Sequence, residues 1–197
     1  LPEMPSVAWD MPTGTALVSY YIADGCYHAL VRDASDTVTH VQLARTDAVS
    51  TATEALHVAV QRMLALAVQL PPAALASFAP ALEANAVAHL QTLYGYLLAP
   101  VAAQLNGVAR LGISPIGELY AVPFHALHDG RQYLVERCPS FLLPSVQVAA
   151  LSHPRPERSS APQVALFGYD DGTLGAVAAE IDTLSRYWPT AGRYVQD

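Results

Sequence analysis

The sequence contains no lysine. All of its 10 basic residues are arginines, no two of them adjacent, and they stand against 17 acidic residues for a formal charge of −7. With no basic run and a sequence pI near 5.4, a surface that tracks nucleic-acid phosphates is excluded. Cysteine is nearly absent. Cys26 and Cys138 are too few and too far apart to build a disulfide framework or a zinc site, so the expectation is two reduced thiols in a cytoplasmic protein. Charge of either sign is scarce: 14% of residues are charged and 52% are hydrophobic. That balance, with a mean hydropathy of +0.25, excludes intrinsic disorder. A chain of 197 residues buries roughly 70% of its unfolded surface and needs no metal or disulfide to hold a core.

The emptiest stretch of all runs from Met63 to Ala109, where Glu83 is the single formal charge. Its first part, Met63–Leu82, has the hydropathy of a spanning helix. Pro71 and Pro72 sit near the centre, however, and alanine dominates. Adjacent prolines break a helix where its hydrogen bonds matter most, so the reading is a buried helical pair and no membrane partner. The chain opens Leu1-Pro2-Glu3-Met4-Pro5, without a basic start or a long apolar core, so no secretory signal is expected. The missing initiator methionine suggests a piece of a longer protein.

What is present falls into segments of different period. Residues 1–14 are rich in proline and glycine and read as a linker. Ala16, Val18, Tyr20 and Ile22 then alternate with their neighbours as in a half-buried strand. Asp24-Gly25 signals a hairpin, Cys26–Arg32 runs back, and Thr37–Leu43 gives a third strand of an antiparallel meander. The period changes at Leu56, Val60, Met63, Ala67 and Leu70, which form one helical stripe, with Ser50 or Thr53 as its cap and Pro71-Pro72 as its stop. Val87, Leu90, Tyr94, Leu97 and Val101 form a second stripe, restarted at Pro100. Short strands are expected at Val108–Ile113, Leu119–Val122, Tyr133–Val135 and Phe141–Leu143. Residues 152–162, with three prolines and three serines, make the best internal boundary. Beyond it Val164–Phe167 reads as a buried strand and Ala176–Tyr187 as a helix with Val177, Ile181 and Leu184 on one face. Arg193–Val195 approaches a second strand. This is the opening of a parallel α/β sheet, which needs more neighbours than one strand-helix unit supplies.

The familiar catalytic constellations are missing. No G-x-S-x-G elbow, phosphate-binding loop, H-E-x-x-H or C-x-x-C occurs. The Gly168–Gly172 loop lacks the glycine spacing that cradles a pyrophosphate, so no cofactor is expected. A histidine beside a cysteine makes a reactive thiolate, which brings up Cys26 with His28 and Cys138 with His125 and His128. As structural residues they are a small core thiol with an edge imidazole, and a thiol between two strands, and that is the reading taken. His40, His57, His89 and His153 are scattered and indicate no metal cluster. Asp170 and Asp171, next to a strand end, are the one pair placed to select a basic group.

From Leu111 onward the order of short motifs resembles the CHAT domain, a caspase-like domain often found behind tetratricopeptide repeats. A Pro-x-Gly turn, a Pro-Phe-x-x-Leu segment and a Pro-Ser strand end follow one another here as Ser114-Pro115-Ile116-Gly117, Val122-Pro123-Phe124-His125-Ala126-Leu127 and Leu143-Pro144-Ser145. Leu93–Pro100 is similar to the helical segment just upstream in that family. Val164–Gly168 and Gly175–Ile181 resemble the first strand and helix of the caspase-like core.

The resemblance implies an α/β, caspase-like fold. Residues 15–151 would be the non-catalytic, pseudo-caspase-like part, an antiparallel meander with a helix pair and short strands. Residues 163–197 would be the first strand-helix unit of the parallel core. It also implies a bacterial cysteine endopeptidase acting on protein or peptide substrates, with a His-Gly after one core strand and a Cys after the next. Neither cysteine of this chain stands at that position, and His128-Asp129-Gly130 lies upstream of it. No catalytic residue is therefore carried over, and the dyad is expected beyond Asp197, in the rest of the same protein. Asp170 and Asp171 become candidates for the substrate pocket. The alternatives are a CHAT scaffold without the dyad, docking to repeats or other partners, and, resting on the 168–172 loop alone, a small-molecule-binding α/β domain.

Overall fold

The computed structural model describes residues 12–145, 164–169 and 176–196. The chain divides into two compact units, Leu1–Ser152 and His153–Asp197.

The first unit is built on a five-stranded mixed sheet. Strands β1 (Thr15–Ala23), β2 (Cys26–Arg32) and β3 (Val38–Arg45) form the expected antiparallel meander. Its first turn is the two-residue loop Asp24-Gly25, with φ of 50° and 71°, the left-handed pair that matches the twist of a hairpin. At the second turn Asp33 Oδ1 accepts from the main-chain N–H of Ser35 (2.9 Å) and of Thr37 (3.0 Å). These bonds hold its carboxyl below the usual carboxylate range, the Ser35 side-chain bond contributing most.

The helices α1 (Thr46–Gln69) and α2 (Pro72–Leu97) then form a hairpin. Leu70 and Pro71 separate them, and Pro72 takes the first helical position, where a missing N–H costs nothing. The chain returns to the sheet as β4 (Arg110–Ser114), parallel to β1, and a short helix α3 (Leu134–Arg137) leads to β5 (Ser140–Leu142), parallel to β4. The sheet order is β3-β2-β1-β4-β5.

Alternation decides which face meets the helices. Val18, Tyr20, Tyr27, Val31, Leu111 and Ile113 join Leu56, Leu93 and Leu97 in one buried core. One polar bond ties the layers together. The buried Tyr20 hydroxyl donates to the main-chain O of Leu97 at 3.1 Å, one of the carbonyls that a helix end leaves without an intrahelical partner.

Several expectations are corrected here. The stripe that α1 buries is Val49, Ala52, Leu56 and Ala59, not Leu56 through Leu70: Val60 is exposed and Ala67 also faces solvent. The helix starts at Thr46, and Ser50 and Thr53 lie inside it. Arg45 and Asp47 are ion-paired at its start (3.1 Å), while Thr53 donates back to Val49 O. Leu119–Val122 is no strand, since Gly117–Ala121 forms a 3-10 turn. Both edges of β4 are already taken by β1 and β5, which leaves that segment no strand to pair with. Tyr133–Val135 begins α3, because Glu136 reaches back to accept from the Tyr133 N–H at 2.7 Å and caps a helical turn. At Pro100 the chain does restart, as the 3-10 turn Ala99–Val101.

The second unit has β6 (Ala165–Tyr169), α4 (Val177–Tyr187) and β7 (Gly192–Gln196), with β7 parallel to β6. The expected strand-helix unit of a parallel sheet is therefore present. Ile181 and Leu166 are its buried apolar residues among those described. Gly168 lets the helix approach: a Cβ there would stand 3.0 Å from both Val177 Cγ1 and Ile181 Cγ1.

Candidate functional site

The thiols come first, because they are the sequence's only candidate nucleophiles of that class. Cys138 directly follows α3 and is buried in the core of the first unit. Desolvation pushes its thiol up from the ordinary value, and the nearby Arg137 only partly opposes this. A nucleophilic cysteine needs the opposite shift. Cys26 is also buried, at the start of β2 opposite Ala23 and Arg45. Among the described residues neither thiol hydrogen-bonds to a histidine.

Among the described residues, three histidines are engaged elsewhere. His28 Nε2 lies 3.3 Å from Ala23 O, and its Nδ1 lies 3.0 Å from His40 Nε2. Ala23 O can only accept, so His28 donates from Nε2, and one of the two facing nitrogens, His28 Nδ1 or His40 Nε2, carries the hydrogen between them. The two rings are within 14° of parallel with centroids 5.2 Å apart. With so short a nitrogen contact they lie side by side rather than face to face, beside Tyr21. His128 Nδ1 takes the Gly130 N–H at 3.0 Å and lies 3.2 Å from Gln91 Nε2, with its ring edge-on to Tyr133. Asp129 accepts from the main-chain N–H groups of Gln132 and Arg131, and these bonds, the one to Gln132 first, hold its carboxyl low. Each group is locked into a turn or a sheet face. Among the described residues no group of three or more His, Cys, Asp or Glu is placed to hold a metal ion.

The motif-rich stretch from Leu111 to Ser145 converges on a cleft at the β5 edge of the sheet. It is open, about 410 Å³, and lined by Tyr120, Pro123, Phe124, His125, Phe141 and Leu142 among others. At one end the Tyr120 hydroxyl donates to Pro144 O at 3.3 Å. Gly112 on β4 is what lets the Phe141 ring lie flat on the sheet, since a Cβ there would stand 3.1 Å from Phe141 Cζ and from Leu17 Cδ1. The ladder bonds Leu111 N–H to Pro139 O (3.0 Å) and Leu143 N–H to Ile113 O (2.8 Å) set an alternation that points the main-chain groups of Ser140 and Leu142 to the open edge. Such an edge can hydrogen-bond an extended main chain, but neither cysteine is among the described residues that line the cleft. The sequence reading missed it. The available signal was Pro139 directly before a three-residue strand, the mark of an edge.

Asp170 and Asp171 directly follow β6 in sequence and lie outside the described residues, as do the 152–162 linker and His153. No helix of the described residues is long and apolar enough to cross a membrane.

The CHAT domain family model matches residues 87–193, from the middle of α2 through the second unit. That is more than half of the chain, and the chain belongs to this family of caspase-like peptidases. No curated protein matches it.

Proposed function

We propose that this chain is the non-catalytic, N-terminal portion of a bacterial caspase-like cysteine endopeptidase, a framework whose His-Cys pair is carried by a further part of the same protein beyond Asp197. The observation that carries this reading is the state of the two thiols: both are buried, the one in the main core is shifted away from the thiolate, and neither is bonded to a histidine. In a family of cysteine peptidases, a chain whose own thiols are structural takes the supporting role. The chemistry of the other part is then thiol deprotonation by His, attack on a peptide carbonyl, and stabilisation of the oxyanion by main-chain N–H groups.

In this reading Asp170 and Asp171, at the carboxyl end of a parallel strand where α/β sheets take ligands, face the substrate and favour Arg or Lys before the scissile bond. Partners are the catalytic half, tetratricopeptide repeats of the same protein, and a protein or peptide substrate, in a cytoplasmic setting that keeps both thiols reduced.

Fluorogenic peptides test it. The 197-residue chain is expected to cleave none of them, and the protein that carries the dyad to prefer basic over acidic residues. Activity of the chain alone that disappears in Cys138→Ala would overturn the proposal. The sequence joined to this one in the native protein separates the runner-up: a continuation without the His-Gly and Cys pair makes the protein an interaction scaffold.

A further inference from the structure

The chain has two asparagines, Asn85 and Asn106, and the fold holds them differently. Asn85 lies inside α2, where the next main-chain N–H belongs to the helical ladder. Asn106 is followed by Gly107 in the turn between the 3-10 turn Ala99–Val101 and β4, and both residues are exposed. Gly107 has φ of 71°, and the place a Cβ would take is open, with nothing within 4 Å. Among the described residues the Gly107 N–H has no acceptor; the bonds that close this turn onto Gly14 O come from Ala109 and Arg110.

That combination has a chemistry of its own. The nitrogen after an asparagine can close a five-membered ring on the side-chain carbon Cγ, an attack within one chain that needs no second molecule to be brought up. A side chain on the following residue, a committed N–H or burial away from water each slows it, and Asn106-Gly107 has none of the three. The amide carbonyl also has a cation beside it. Arg137, the last residue of α3, donates from Nη2 to Leu105 O at 3.0 Å and to Asn106 Oδ1 at 3.5 Å. A guanidinium there stabilises the oxyanion that forms when Cγ is attacked, and among the described residues it has no carboxylate partner.

We propose that Asn106 is a site of spontaneous deamidation, and that the carboxylate it leaves pairs with Arg137. The Gly107 nitrogen forms a bond to Asn106 Cγ, the Cγ–Nδ2 bond breaks, and ammonia leaves with the proton that Gly107 gives up. Solvent water then opens the cyclic imide. Where water adds at Cγ, the new N–Cγ bond breaks, Gly107 N recovers a proton, and position 106 carries an aspartate side chain. Where it adds at the main-chain carbonyl carbon, the original peptide bond breaks instead and the chain runs on through Cβ as isoaspartate. Either way one amide and one water become one carboxylate and one ammonium, so the formal charge of −7 becomes one unit more negative. The new charge falls beside the unpaired guanidinium and fastens this turn to the end of α3, next to Cys138 in the core.

The test holds the 197-residue chain in warm, mildly alkaline buffer and follows it by peptide mass spectrometry. The Asn106 peptide is expected to pass from amide to acid mass and to split into aspartate and isoaspartate forms, while Asn85 keeps its amide. Gly107→Ala should slow the conversion at least about tenfold and Arg137→Gln at least about threefold, with circular dichroism spectra that match the parent. Asn106→Gln, which needs a six-membered ring, leaves the position-107 backbone untouched and should keep its mass over the same time. In Asn106→Asp the carboxylate at position 106 should titrate by NMR below the ordinary value of about 3.9, and adding Arg137→Gln should restore that value. An Asn106 that keeps its amide as long as Asn85 does, unchanged rates in the folded variants, or a carboxylate at position 106 that titrates at the ordinary value would overturn the proposal.

Discussion

Among the described residues, each of the two units covers one face of its own sheet and leaves the other uncovered, but the uncovered faces differ in kind. On the first unit's outer face Tyr21, His28 and His40 bond and pack among themselves, with Ser19 and Gln42 beside them in the register. That is the pattern of an antiparallel sheet with one side toward water. On the second unit the face away from α4 carries Phe167, Tyr169 and Tyr194, exposed by 74%, 67% and 59%, with the Phe167 and Tyr194 rings stacked at 5.0 Å. Parallel strands buried on both sides have this composition. The first unit therefore has a core and a surface, whereas the second has one side of a core and an aromatic face of the kind that parallel sheets cover.

The largest expected effect separates the units directly. Leu93 is fully buried between α2 and the sheet, and Leu93→Ala should cost about 3–4 kcal/mol in the main denaturant transition. Ile181→Ala should leave that transition in place and instead abolish the hydrogen-exchange protection of the β6 amides, which would show that the second unit opens on its own. If Ile181→Ala moved the main transition as far as Leu93→Ala, the distinction between the units would be broken.

Next in size, Tyr20→Phe removes the bond that ties β1 to the end of α2 and should cost about 1–2 kcal/mol by urea titration. The same residue gives a pH signature. Burial raises the Tyr20 phenol and the Cys138 thiol above their ordinary values. Both are protonated and uncharged in the fold. Stability is accordingly full below their unfolded values, about 8.5 for a thiol and about 10 for a phenol, and falls as pH climbs past them toward the folded ones. Thermal melts from pH 7 to pH 11, a span set by those unfolded values, should show the loss, reduced in Tyr20→Phe. The smallest effect belongs to the aromatic face. Phe167→Ser with Tyr194→Ser should change the stability of the first unit by less than about 0.5 kcal/mol while lowering the binding of a hydrophobic dye, which sharpens the claim that this face is apolar surface and not structure.

Local chemistry was legible in the sequence and long-range pairing was not. Asp24-Gly25 declares its hairpin because both residues tolerate positive φ, and the prolines at 71 and 72 end one helix and start the next. The β6-α4-β7 unit was visible through its apolar run and helical spacing. Nothing local says that β4 lies parallel to β1, since that neighbour comes from the far end of the first unit. The buried stripe of α1 was misplaced for a related reason. A helix rich in alanine and valine is apolar on two faces, so periodicity alone does not choose between them, and the sheet decides at Val49 and Ala52. The 3-10 turn at Gly117–Ala121 and the cap of α3 by Glu136 likewise depend on which edges remain free. The cleft beside β5 was hidden because its outline is drawn by main-chain groups and a glycine contact, which leave almost no trace in side-chain pattern.

The central claim is that the thiols of this chain are structural, the observation on which the proposed framework role rests. Its most direct test is alkylation of the native chain by iodoacetamide as a function of pH, resolved by peptide mass spectrometry. The account predicts that Cys138 stays unlabelled near neutral pH and reacts only when the chain is unfolded or the solution is strongly alkaline. Rapid, stoichiometric labelling of Cys138 at neutral pH, with the profile of a depressed pKa, would contradict it.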